Sequence, residues 1–195
     1  MKQSKNFAAL SEGSIPKTLL KLGIPTMVGM MVSSLYNLVD AYFVGGLGTT
    51  QQAAVSAVYP ISLVMLGIGL LFGSGSGSYL SRLLGSGRHR EADECASTIL
   101  FTSVVTAILL VGFMMLFLNP LLMLLGCTKT MLPYARQYAV PFILGLVVNV
   151  FNVTMSNIAT SEGASLYSMR SMLVGGIINV ILDPLFIIGL KMGVL

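Results

Sequence analysis

The chain has 195 residues, of which 55% are hydrophobic and only 9% charged, with a net charge of +4 and a mean hydropathy of +0.87. A soluble domain carries about 25% charged residues, so this composition excludes an ordinary water-facing domain. Crossing the hydrocarbon takes about 20 residues of helix, and five apolar runs are that long or longer: 19–46, 53–81, 95–118, 133–159 and 166–190. They do not alternate as barrel strands do, and only helices satisfy every backbone group inside such a run. The expected fold class is all-α, a polytopic membrane helix bundle.

The N-terminal Lys2, Lys5, Lys17 and Lys21 read as a cytoplasmic anchor. The first apolar run is too long for the core of a cleavable signal and has no small-residue cleavage site. With the N-terminus inside, the inner segments hold those lysines and Arg82, Arg88, Arg90 and Arg170, while the outer side holds Lys129, Arg136 and Lys191. Eight against three follows the positive-inside bias, so the charge reports topology and not a nucleic-acid partner. The expected location is the cell (plasma or inner) membrane, multi-pass, N-terminus cytoplasmic.

The first span carries Pro25, which removes one backbone hydrogen bond and bends the helix, either as a static kink or as a hinge. The second has Pro60, then Gly69, Gly73 and Gly77 at four-residue spacing, a ridge that admits a close neighbour. Its GSGSGS lacks the lysine of a phosphate loop. The stretch NPLLMLLG (119–126) is too short to cross and reads as an interfacial turn of helix. TSEGASLYSMR (160–170) returns the chain to the inner side. Cys95 and Cys127 fall at opposite ends of the third span, which excludes a bridge between them. Five is an odd number of spans, and the sequence reads as a portion of something longer.

Only Asp40 and Asp183, among seven acidic residues, lie within spans. A charge at the bilayer centre costs at least about 2.5–3.5 kcal/mol and normally faces a bundle interior or a wet cavity. Asp183 lies about 20 Å up its helix from Arg170, and Asp40 about 28 Å from Lys21 less any kink or tilt, so both fall in the outer half. Asn179 precedes Asp183 by four residues, and Tyr36 and Asn37 precede Asp40 by four and three, so each acid has polar company at helical spacing. Two carboxylates, two carboxamides and a phenol suit a monovalent cation or a shuttled proton. They do not suit zinc, since no Cys or His is near. The alternative is carboxylates held only for packing. Among enzymes, HExxH and the nucleophile elbow are absent, and an Asp40–Asp183 aspartyl-protease dyad is the one enzyme reading left.

At SLYNLVDAYFVGGLG (34–48), LSRLLGSG (80–87), SEGASLYSMRSML (161–173) and NVILDPLFIIGLKMGV (179–194) the chain resembles the multidrug and toxin extrusion (MATE) transporters, along essentially its whole length. That resemblance implies a secondary antiporter of two six-helix lobes, not an enzyme. Its substrates would be small cationic or amphipathic compounds, exported against Na+ or H+ with no further cofactor. This chain would supply five helices of the N-terminal lobe, residues 1–195, without the sixth helix or the C-terminal lobe it would need. The coupling residues implied are Asp40 and Asp183, with Asn179 as a neutral ligand, Tyr138 as a phenol bonding the network, and Na+ held at Asp40, Asn179 and Asp183. Pro25 corresponds to the proline at which the first helix bends in some relatives. Asn149, Asn152 and Tyr36, with Met27, Met30, Met31 and Met155, are candidates for a substrate cavity; for Asn149 and Asn152 the equal alternative is a bond to a neighbouring helix. For the methionines the plainer reading is lipid contact or packing. The family often has an arginine before the loop glycine after the fourth span, where this chain reads ATSEG. The rival readings are a lipid or polysaccharide flippase of the same superfamily, which carries several basic residues in its cavity, and a small non-transporting membrane scaffold.

Overall fold

The computed structural model describes residues 14–45 and 49–184; the side chains of Tyr36, residues 40–45 and 49–51, Ala54, Asp183 and Pro184 lie outside that description. The described elements are helices: α1 (Ile15–Gly45), α2 (Thr49–Gly85), α3 (His89–Leu116), α4 (Leu118–Leu124), α5 (Leu132–Ser161) and α6 (Ser165–Pro184). All but the seven-residue α4 are long and apolar enough to cross a membrane. The last residues of the fifth apolar run, 185–190, lie outside the described residues.

The start of α3 runs ahead of its apolar segment, because helix continues where polar side chains pair along it. There Arg90 Nε lies 3.0 Å from Glu94 Oε1, and Arg88, just before the helix, forks onto the Glu91 carboxylate. The stretch 160–170 is mostly helix, with the Thr160 and Ser161 hydroxyls bonded to the Ser156 and Asn157 carbonyls one turn back, and only 162–164 separate α5 from α6. Gly163 makes the reversal at φ +78°, a left-handed conformation that glycine adopts without a Cβ penalty. Pro25, Pro60 and Pro141 lie inside continuous helices. One residue after Pro25, the Thr26 hydroxyl donates to the Leu22 carbonyl at 2.9 Å, a back-bond that favours bending.

Two packing units emerge. In the trunk, α2, α3 and α5 pack on one another, with α4 lying across them near the Cys127 turn. Val58, Met65, Leu122, Ile143 and Val150 are fully buried there. The second unit is the pair α1 and α6, which pack mainly on each other. Both cysteines are free, Cys127 is buried, and burial pushes its thiol above the ordinary range.

Candidate functional site

Close helix approach begins with glycine. A methyl at Gly69 would stand 2.8 Å from Val153 Cγ1, one at Gly73 2.7 Å from Asn157 Cβ, and one at Gly77 2.6 Å from Ser161 Oγ. Each step of four on α2 is matched by a step of four on α5, so these two helices run parallel in one register. Ser81 extends the series by donating to the Ser161 carbonyl at 3.2 Å. Successive membrane crossings alternate in direction, so the second and fourth spans are parallel, and so are the first and fifth.

The α1–α6 pair closes at Gly29. Gly29 is buried, and a methyl there would stand 2.7 Å from Met172 Sδ and 3.6 Å from the Met169 Cα. On α1 the buried and half-buried positions recur as Thr18, Leu22, Pro25, Gly29 and Val32; on α6 they recur as Ser165, Ser168, Met172, Gly176 and Asn179. Both stripes have the helical period. Asp40 is eleven residues beyond Gly29, and Asp183 is eleven beyond Met172. Eleven residues rise about 16 Å and turn about 20° past three full turns. The two backbone positions are therefore level along the pair, each on the stripe that carries its helix's contact. The side chains of Asp40, Asp183 and Tyr36 lie outside the described residues.

The third relationship is antiparallel. Ser168 Oγ donates to the Ser156 carbonyl at 2.9 Å, which sets α6 against α5 at that level. Fifteen residues further along α6 is Asp183; fifteen back along α5 is Pro141, and Tyr138 is three residues beyond that, about 4.5 Å in rise. Tyr138 is half-buried and stacks on Phe142, with ring centroids 5.2 Å apart and planes 22° from parallel.

Asn179 lies on the α6 stripe with its carboxamide oxygen buried. Asn37 falls beside the α1 stripe; it is exposed, and its Nδ2 donates to the Ser33 carbonyl at 2.8 Å. Asn149 and Asn152 are exposed on α5, and Asn152 Oδ1 accepts from Ser156 Oγ at 3.3 Å. Pro25 is buried on the α1 stripe. Met27, Met30 and Met31 are 61–66% exposed, and Met155 shares an exposed apolar face with Val148 and Phe151. Among the described residues no three His, Cys, Asp or Glu side chains come together to hold a metal ion.

The sequence alone does not point to Asn157, wedged against Gly73, to the groups of Ser156, Thr160 and Ser168, which bond one another where α5 turns into α6, or to the buried Ser165 that opens α6. Their signal is the run of serines and threonines at four- and three-residue spacing that flanks the α5–α6 turn. Isolated hydroxyls in apolar helices usually bond their own backbone, which masks them.

Five membrane-length helices and a trunk closed by glycines define a multi-pass helical membrane protein. The profile of the MatE family matches residues 25–185, and the chain belongs to that family of transporters. The chain is 28% identical over 184 residues to the multidrug export protein MepA of Staphylococcus saprophyticus, covering 94% of this chain and 41% of that protein. It is 30% identical over 186 residues to a protein of Shewanella oneidensis named FAD transporter, covering 95% and 41%. Among solved structures, a MATE transporter in complex with MaD3S superposes at a TM-score of 0.92 with 31% identity, over 98% of this chain and 43% of that one. The chain thus spans about two fifths of the length of these relatives.

Proposed function

We propose that this chain forms the N-terminal lobe of a secondary active exporter, which moves small cationic or amphipathic compounds outward in exchange for Na+ or H+. It would lie in the cell membrane with its N-terminus cytoplasmic and work with a C-terminal lobe. The coupling site is Asp40 with Asp183; Asn179 supplies a neutral oxygen, Tyr138 a phenol and Asn37 a flanking amide, and Pro25 is the point at which α1 flexes. The observation that carries the reading is the common level of positions 40 and 183, set by the Gly29–Met172 contact.

The chemistry follows from that level. Two carboxylates sharing a low-dielectric site resist joint ionisation. A proton or a sodium ion between them removes the conflict, and its release restores it. A bundle whose two conformations expose the pair to opposite sides is then biased by the ion gradient, by as much as its differential affinity for the two states. The α1–α6 pair, packed mainly on itself, is the element whose movement against the trunk would change that exposure.

The test is dye export by the intact protein reconstituted in vesicles, with the sodium and the proton gradients collapsed one at a time. Export that stops with one of them and survives loss of the other identifies the coupling ion. Export that ignores both gradients would refute the proposal.

A further inference from the structure

α5 shows three different faces. One, from Ala135 to Ile158, is buried in the trunk. A second carries Leu144, Val148, Phe151 and Met155, all apolar and exposed. The third, roughly 120° from the buried face at 100° per residue, carries Asn149, Asn152, Ser156 and Thr160 at intervals of three and four. A stripe of this polarity in a membrane helix faces neither lipid nor a dry core without cost.

At its inner end the third face meets α6. Thr160 Oγ1 and Ser168 Oγ are 3.4 Å apart, and both donate to the Ser156 carbonyl, at 2.8 and 2.9 Å. Ser156 Oγ in turn donates to Asn152 Oδ1. One turn before Ser168 on the same face, Ser165 opens α6. It is 1% exposed, and its hydroxyl has no hydrogen-bond partner among the described residues. A buried hydroxyl left unbonded costs about 1–3 kcal/mol, and folded proteins normally meet that need with water.

We propose that this seam is a water-filled vestibule open to the inner side, its innermost water bonded to the Ser165 hydroxyl and its wall made by Thr160, Ser168, Ser156 and Asn152. It rests on the coupling reading in one respect: it supplies the inner route of the coupling cation. Along the shared axis of α5 and α6, the polar groups run Thr160, Ser165, Ser156 with Ser168, Asn152, Asn149, Asn179, Asp183. With Ser156 level with Ser168, no step along the axis exceeds four residues, a helical rise of about 6 Å. The groups are neutral amides and hydroxyls, so they hydrate a passing cation without trapping it.

The test reads water, not transport. In the intact protein with Cys95→Ala and Cys127→Ala, single cysteines at Ser165, Ser156 and Asn152 are exposed to a charged, membrane-impermeant methanethiosulfonate from the inner side. Thiolates form only where water reaches, so these three react at least about tenfold faster than Val148→Cys and Phe151→Cys controls on the apolar face. Equal, slow rates would overturn the vestibule. A second arm adds Ser165→Ala with Thr160→Val to the Asn152→Cys protein: labelling at Asn152 slows several-fold, and an unchanged rate would equally sink the assignment of these hydroxyls as the wall. Labelling requires neither gradient nor export, so its failure falls on the vestibule, whereas unimpaired export in acid-to-amide variants falls on the coupling site.

Discussion

Gly29 of α1 stands directly against Met172 of α6, with room for a hydrogen but not for a methyl. This contact marks the level at which two helices far apart in sequence meet, and equal rises from it bring backbone positions 40 and 183 level. The neighbour is the end of a flexible side chain, so Gly29→Ala displaces Met172 and is tolerated. Gly29→Leu forces the helices apart and should reduce export strongly while insertion persists. The register itself is checked by cross-linking in a background lacking Cys95 and Cys127. Gly29→Cys with Met172→Cys forms a disulfide under mild oxidation. Met31→Cys with Met172→Cys does not, because Met31 lies on the exposed side of α1.

Asp40→Asn and Asp183→Asn keep shape and remove charge. Each should bring gradient-driven dye export to background while leaving expression and membrane insertion as in the parent. Dye efflux from energised cells measures the first and membrane fractionation the second. Parental export rates in both variants would remove the coupling role from the acids.

The α2 glycines separate by position. At Gly73 an added Cβ meets the Cβ of Asn157, the root of a side chain and not its tip, so the backbone must shift. Gly73→Val should cost about 1–3 kcal/mol. Two residues on, Gly75 has nothing within 4 Å of an added Cβ. Gly75→Ala should be neutral or stabilising by up to about 1 kcal/mol, through helix propensity. Thermal unfolding of the two variants in detergent micelles decides the contrast.

Glu162, in the turn between α5 and α6, has its carboxyl held above the usual range of about 4.5, by burial first and by the neighbouring negative charge of Asp93 second. A folded-state value above the unfolded one means that stability is greatest below the unfolded value and is lost as pH rises through the raised one. Glu162→Gln removes that loss. The variant should melt above the parent at neutral pH, with the gap closing as pH falls below about 4.5. A melting series across pH measures it, and a gap of constant size would rule out titration of Glu162 as the cause.

Composition and run length sufficed for the class of protein, because the hydrocarbon core imposes a minimum length of apolar helix that few soluble sequences reach. They also exposed Asp40 and Asp183, since a carboxylate in such a run is conspicuous, and the glycine ridge, whose spacing is local. The third apolar run begins at about 95, whereas α3 begins at His89, because an apolar-run criterion stops where ion pairs take over. The hydroxyls at the α5–α6 turn were not singled out, because serine and threonine are common in spans and gain meaning only from what faces them.

What the sequence determined alone was therefore one-dimensional: how many segments are long and apolar enough to cross, and which residues are chemically out of place in lipid. Which helices touch, and at what level, came only from the tertiary structure. Residues 29 and 172, or 73 and 157, meet because a missing Cβ on one helix fits the bulk on another. That complementarity is a property of two surfaces together, and neither segment carries it by itself.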